Sequence, residues 1–406
     1  MNENKKSKRI LKILPWYMGL SYGLLFYTPI STLFFTIAKN LSPSQITLLG
    51  TISTLLCILL QPSLLKIIKK INNVLSVRIG SILLLLSVLL ITFGNFYMIM
   101  IGIILETIAF TFKDMINIIL RNNLIYAFKS DEYIKYKNKS FLIYSIATAT
   151  IALVVGYLFN LNYYIPMICC MICCMICCTI IIIMSLFIDD IKTENVEEKS
   201  NNSYSKIIIK NKMIINIILF FGLIRTCIAL GFNNSELFIQ QELKYFFNIA
   251  KTTYYFSLIV FVSRIVRILS NLCLNKIYLK LREKLLILLP SLLMISFGFI
   301  VFSHYLIDNL LIKFLIMCLS YSIVVALIDF FTSVIQDTVL DKTSSSEQQA
   351  ALTYLSLSYK VFKVIFGCFV SLILLRYSLV YVLIFLIVLI LVGMIFFSET
   401  YKKLIK

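Results

Sequence analysis

With 406 residues, 60% of them hydrophobic and only 14% charged, the chain is too apolar for a soluble domain, in which about 45–50% apolar and about 25% charged residues are usual. Its mean hydropathy of +0.95 agrees, and the chain reads as an integral membrane protein. The net charge of +19 would suit a nucleic-acid binder, but the placement of the basic residues excludes that class.

The chain opens with MNENKKSKRILK, a signal-like basic stretch with no small-residue cleavage site after it, so the next apolar run is read as a retained first span. A run of about 20 apolar residues crosses the hydrocarbon. Twelve are found: 13–37, 45–65, 76–94, 97–120, 140–160, 164–187, 213–235, 252–273, 285–303, 309–335, 350–374 and 377–397. Pro29 and Pro290 fall inside spans, where proline kinks a helix and frees a carbonyl. The links Gly94-Asn95-Phe96 and Asn160-Leu161-Asn162 are short. The one long polar segment, 189–212, is rich in acids, Lys, Asn and Ser and reads as a cytoplasmic linker between a six-helix half at 1–188 and another at 213–406. Of the 38 Lys and Arg, 27 fall on one side of the predicted spans, 5 on the other and 6 within them, with Arg78 and Lys313, at span ends, counted to the sides they adjoin. That bias predicts cytoplasmic N- and C-termini, and it makes the basic charge a matter of topology and attraction to anionic lipid.

Other motifs carry less. No GxxxxGK[ST] phosphate loop occurs, and eleven cysteines without an extracellular pattern give no disulfide framework. The run ICCMICCMICC at 168–178 forms two thiol stripes at helical spacing. Thiolates bind soft metals, but no His or acid accompanies these, and small residues help spans pack, so packing is the preferred reading. No metal and no cofactor are expected.

The two halves echo one another, with basic inner loops at 66–78 and 276–284 and charged ones at 129–139 and 337–348. This layout resembles the major facilitator superfamily over essentially the whole chain. Against that family's loop signature between spans two and three, Leu65 stands for the first Gly, Lys69 for Asp, Lys70 for Arg and Asn72 for the second Gly; Asn275 and Lys276 stand at the Asp-Arg pair of the second half. The basic residues survive and the acid is gone. The run ILETIAFTFKD and the stretch EQQAALTYLSLSYKVFKVIFG entering span eleven are similar to the family's fourth and eleventh helices. Drug–proton antiporters of the family often carry an Arg roughly where Glu106 stands and a Gly-Pro-rich fifth span, where only Gly156 is found here.

The fourth run carries the most expensive residues. At about 100° per residue, Glu106, Phe110, Lys113, Asp114, Asn117 and Arg121 share roughly a 100° arc of one helix face. An ionisable group near mid-bilayer costs on the order of 3 kcal/mol on insertion scales, so these face protein or water. Glu106 and Lys113 lie about 10 Å apart along the axis, beyond i,i+4 reach, so their partners must come from other helices or from a ligand. Burial disfavours the charged form of a carboxylate, which suits Glu106 and Asp114 to load and release a proton with Lys113 tuning them; a buried structural ion network is the alternative. The resemblance implies that spans one, four, seven and ten line a central cavity, which makes Arg225 and Asp329 the expected partners, or else a fixed bridge between the halves. Tyr27 and Ser31 of span one suit an amphipathic cavity wall. Arg264 and Arg267 are read as snorkelling from the cytoplasmic end of span eight, and Lys360 and Lys363 as deeper cations able to attract an anion. Asn233, Asn234 and Glu236, at the outer end of span seven, could form an entry vestibule, and His304, at the outer end of span nine, is read as a loop histidine.

Together these readings predict an all-α membrane protein with 12 transmembrane helices in two six-helix halves, acting as a secondary active transporter. A small polar, charged or zwitterionic solute would move by alternating access, coupled to an ion, H⁺ first, through Glu106 before Asp114. Its other partner is the lipid bilayer of the plasma (inner) membrane; no nucleic acid is expected, and the protein should function as a monomer. The rival readings are a lipid-linked substrate flippase, a membrane enzyme and a non-transporting sensor. Outer loops almost without acid, His or Cys clusters weigh against an enzyme, and the lack of an appended soluble domain weighs against a sensor.

Overall fold

The computed structural model describes residues 2–128, 132–185, 212–307, 309–342 and 348–405, and every element in them is helical. Helix α1 covers Asn2–Ser21; after a non-helical stretch, α2 (Ser31–Leu33) runs into a π turn at Phe34–Ala38. Then come α3 (Pro43–Lys70), α4 (Asn73–Phe93), α5 (Phe96–Lys113), α6 (Ile116–Tyr126), α7 (Tyr133–Leu161) and α8 (Ile165–Ser185). The second series is α9 (Lys212–Phe246), α10 (Ile249–Leu281), α11 (Leu285–Leu306), α12 (Leu310–Asp341), α13 (Gln348–Arg376) and α14 (Leu379–Ile405). The expected linker lies outside the described residues except for Lys212, the first residue of α9.

Asparagines start several of these helices. The side-chain oxygens of Asn72, Asn95 and Asn248 accept from the backbone N–H of Leu75, Met98 and Lys251 at 2.6, 3.1 and 3.0 Å, each satisfying a donor that the first turn leaves orphaned. The cap at Asn95 allows α4 and α5 to be joined by only Gly94 and Asn95.

Eleven helical stretches among the described residues are long and apolar enough to cross a membrane, where the sequence led us to expect twelve. The missing one is the first. Its apolar run, 13–37, is not one helix, because α1 stops at Ser21 and regular winding resumes only at Ser31. The seventh span is also longer than expected: α9 continues to Phe246 instead of ending near residue 235.

The chain forms two compact units, residues 1–40 with 52–197 and residues 41–51 with 198–406. In the first, α4 packs along α5 and α8, while α1 packs against α6, α7 and α8. Glycines set the α4–α5 approach: a Cβ at Gly80 would stand 2.7 Å from the Ala109 carbonyl oxygen and 2.8 Å from Lys113 Cγ, and one at Gly102 would stand 2.9 Å from Ile91. Without a hydrophobic drive between helices in lipid, close backbone packing of this kind supplies the attraction. In the second unit α9 is the most buried span and packs against α12, α13 and α14. Phe220 stacks on Phe397 at 4.0 Å and Phe221 on Phe331 at 6.0 Å. The first turns of α3 belong to this unit, where the Ser44 hydroxyl donates to the Ser371 carbonyl at 3.0 Å.

Gly80→Ala should therefore destabilise by about 1–3 kcal/mol, since backbone must move to make room. Gly298, which has nothing within 4 Å of its would-be Cβ, is the control. Gly298→Ala should leave the thermal midpoint in detergent unchanged or raise it, by up to about 1 kcal/mol of helix propensity. Equal shifts in the two variants would show that α4 and α5 are not in tight contact.

Candidate functional site

Span one breaks for reasons its sequence supplies. Pro29 has no N–H to give to Leu25 and disfavours helical winding at Thr28, so the segment after Ser21 turns instead, with Thr28 N–H on the Leu24 carbonyl at 2.8 Å and Ile30 N–H on Tyr27 at 3.0 Å. The break extends over 22–30, further than a proline kink alone. It leaves the Ser21 carbonyl, at the negative end of α1, without its helical partner.

Lys113 takes that place. It ends α5, is 6% exposed, and its ammonium donates to the Ser21 carbonyl oxygen at 2.5 Å. A cation at a helix C-terminus satisfies both the carbonyl and the dipole.

Span four breaks immediately afterwards, between α5 and α6, and no Gly or Pro lies there to force it. The winding tightens: Met115 N–H reaches Phe112 at 3.4 Å, Asn117 N–H reaches Asp114 at 3.1 Å, and Ile118 N–H reaches Met115 at 3.1 Å. These are three-residue steps of the 3₁₀ kind, which inside a long helix mark a hinge or a strained site. The Asn117 side-chain amide also donates to the Asp114 carbonyl at 3.0 Å, closing the break from its far side.

Where the two interrupted helices meet α7, a cavity of about 370 Å³ opens, bounded by Tyr17, Ser21 and Tyr22 of α1, Phe110, Lys113, Asp114 and Asn117 of span four, and Lys137, Ser140 and Phe141 of α7. Its aromatic wall is held edge to face, with Tyr22 at 5.2 Å from Phe141 and 5.0 Å from Tyr144. Lys113 stands 5.5 Å from the Phe110 centroid and Lys137 6.0 Å from that of Phe141. Two ammonium groups and one carboxylate thus stand between aromatic faces at the cavity, so its lining offers charges of both signs beside flat apolar surface.

Three of the residues singled out by helical phase, Lys113, Asp114 and Asn117, thus share one cavity wall. Glu106 does not. It is half-buried two turns back along α5, makes no hydrogen bond or ion pair among the described residues, and lies close enough to Tyr27 and Cys174 to act on them electrostatically. Tyr27 packs edge-on to Phe35 at 5.9 Å, and Ser31 opens α2; neither lines the cavity. The cysteine run forms α8 and turns Cys170, Cys174 and Cys177 toward Ser21 and Lys113 around a cleft of about 10 Å³. No group of three or more His, Cys, Asp or Glu able to hold a metal occurs among the described residues.

In the second unit, Arg225 lies over the Tyr359 ring at 5.5 Å, with Lys363 at 5.9 Å from the same ring. The Asp329 carboxylate is held by residues of α10 that the sequence reading left out of the site. Arg267 donates from Nε and Nη2 at 2.7 and 2.9 Å, and Asn271 adds a bond at 3.0 Å. The expectation that Arg264 and Arg267 snorkel is corrected: Arg267 is tied to Asp329, and Arg264 is 4% exposed in the protein interior. Glu236 is corrected likewise. Being inside the extended α9, it is 2% exposed and accepts from the Tyr321 hydroxyl at 2.5 Å, so it is no vestibule residue. His304 sits in the last turn of α11, not in a loop, with Nδ1 2.7 Å from Glu242 Oε1, while Lys313 donates to Oε2 at 2.5 Å. For Glu236 the signal was present in Leu237, Phe238, Ile239 and Leu243, whose apolar spacing carries the helix past the charge.

The Major Facilitator Superfamily model matches residues 13–359. The fold is similar to the nucleoside transporter NupG at TM-score 0.73 and 15% identity, covering 98% of this chain and 99% of that one. It is similar to a bacterial homologue of the iron transporter ferroportin in an inward-facing state, at TM-score 0.71 and 12% identity over 97% and 98% of the two chains. A bacterial homologue of the human lysosomal transporter Spinster matches at 0.67 and 9% identity, over 98% of both. No curated protein matches the sequence.

Lys113→Met should cost about 1–3 kcal/mol, the desolvation penalty of a carbonyl left unsatisfied. The measurement is the thermal midpoint in detergent. A midpoint equal to that of the unmutated protein would show that the Ser21 carbonyl has another donor.

Proposed function

The chain belongs to the Major Facilitator Superfamily, a family of secondary transporters, and from this we propose that it moves a small charged or zwitterionic solute across the inner membrane by alternating access. The observation that carries the proposal is the cavity at the two helix breaks. Interrupted membrane helices place backbone ends and their dipoles at transporter binding sites, and here Lys113, Asp114 and Asn117 stand at such a junction. The aromatic faces of Tyr22, Phe110 and Phe141 would sandwich the solute while the charges orient it. The similar solved structures are named for cargoes as unlike as nucleosides and iron, so the shared fold does not choose the solute and the cavity chemistry must.

In this reading the halves 1–188 and 213–406 rock about the binding site, both termini face the cytoplasm, and H⁺ is the coupling ion. Glu106 is the coupling residue. A half-buried carboxylate without a cation beside it is carried more cheaply with its proton on, so its loading changes the free energy of the span that holds the cavity. Arg225 and Asp329 belong to the pathway in the second half, and Tyr27 and Ser31 to the segment of span one that moves past Glu106.

The test is solute-evoked proton movement in proteoliposomes loaded with a pH dye, across a panel of charged and zwitterionic solutes. Glu106→Gln should abolish the proton signal while solute counterflow persists, and Asn117→Ala should raise KM with the proton signal intact. Undiminished proton movement in Glu106→Gln would end the coupling role.

A further inference from the structure

In the second unit, a buried arginine holds out its best hydrogen-bonding edge to no partner among the described residues. Arg264 is 4% exposed and its guanidinium carbon lies 5.9 Å from the Phe232 centroid. Its Nε and Nη2 are buried and have no hydrogen-bond partner among the described residues. Three residues on along α10, Arg267 uses the same two atoms to grip both oxygens of Asp329, at 2.7 and 2.9 Å. The Nε–Nη2 edge is a planar fork whose spacing matches two oxygens on one carbon or one phosphorus. What Arg267 finds in Asp329, Arg264 lacks.

The surroundings do not fill that fork. Phe232 of α9 stacks with Tyr321 of α12 at 5.7 Å, and the Tyr321 hydroxyl is committed to Glu236. Arg264 and Glu236 both act on Tyr321 electrostatically, with opposite effect. Ser235, one turn from Phe232 on α9, is wholly buried with its own hydroxyl unpartnered. Arginine cannot shed its proton, so these donors stay, and each buried donor left unsatisfied costs about 1–3 kcal/mol, more on a charged group.

We propose that the Nε–Nη2 edge of Arg264 recognises an oxyanion, the carboxylate or phosphate of the solute this protein carries. The role as solute recognition rests on the transporter reading; the anion site itself is a property of α9, α10 and α12 and stands without it. The edge is closed to solvent in this state, so the anion reaches it when the surrounding helices part.

The experiment uses the full chain purified in detergent and follows its thermal midpoint against succinate and against inorganic phosphate, with chloride at equal ionic strength as the blank. One of the two oxyanions should raise the midpoint saturably, and which one does so separates carboxylate from phosphate. Arg264→Gln should weaken that response about tenfold or more, the loss of two charge-assisted bonds. Arg264→Lys keeps the charge but not the fork and should also respond more weakly; it decides the matter if the Gln variant does not fold. Arg282→Gln, which removes an exposed charge, should respond as the unmutated protein does. No rise with either oxyanion, or a response in the Arg264 variants equal to the unmutated one, overturns the proposal. No flux is measured, so failure here leaves the Glu106 coupling experiment untouched, and failure there leaves this one standing.

Discussion

A backbone carbonyl stranded in hydrocarbon has no water to turn to, so a broken membrane helix must find protein donors for its loose ends. In this chain the loose end is Ser21, and the donor is the Lys113 ammonium. Much of the first unit depends on that one contact. Lys113 can reach α1 only because α5 lies tight against α4, where Gly80 leaves no room for a Cβ beside the lysine stem. With the ammonium fixed at the end of α1, the tightened turn at Asp114 and the amide of Asn117 are held next to the first break, and the cavity is the space the two interruptions leave against α7.

How far this was legible in the sequence depended on where the cause lay. The apolar runs report burial in lipid directly, so the helices and their order could be read. Pro29 removes a donor and so announced the first break, though not its extent. The second break has no local cause. Three-residue hydrogen bonding between Phe112 and Ile118 is imposed by packing, and nothing in FKDMINI demands it. Helical phase put Phe110, Lys113, Asp114 and Asn117 on one face, and they line one cavity wall because a few tightened residues turn the face only slightly. Glu106 shares their face but lies too far along the axis to share their cavity.

The charges near span ends were harder. Hydropathy counts about 20 residues as a span and assigns the residues beyond them to the loop. Helix α9 continues to Phe246, well past that limit, which moves Glu236 from an imagined rim into the interior. Snorkelling was a fair expectation for Arg264 and Arg267, since both carry stems long enough to reach the interface. It fails because Asp329 on α12 holds Arg267, and because Phe232 and Tyr321 close over Arg264. Both facts are tertiary.

The described charges are satisfied to very different degrees, and the difference has a direction. Lys113 has a carbonyl and Arg267 a carboxylate, while neither Glu106 nor the Nε–Nη2 edge of Arg264 has a hydrogen-bond partner among the described residues. A buried ion pair can usually be replaced by apolar side chains without loss of stability, so stability alone does not account for keeping even the paired ones. The unpaired ones are costlier still, and a protein with a single working conformation would gain by losing them. In a protein with two, a group left unpaired in one state favours whichever state, proton or solute supplies its partner. Taking a two-state equilibrium from 1:99 to 99:1 needs about 5.5 kcal/mol. A buried, unpaired ion carries several kcal/mol, which is that scale. Under the alternating-access reading proposed above, Arg264, closed off in the second unit, holds a penalty of that order, and Glu106, half-buried in the first, holds a smaller one of the same kind.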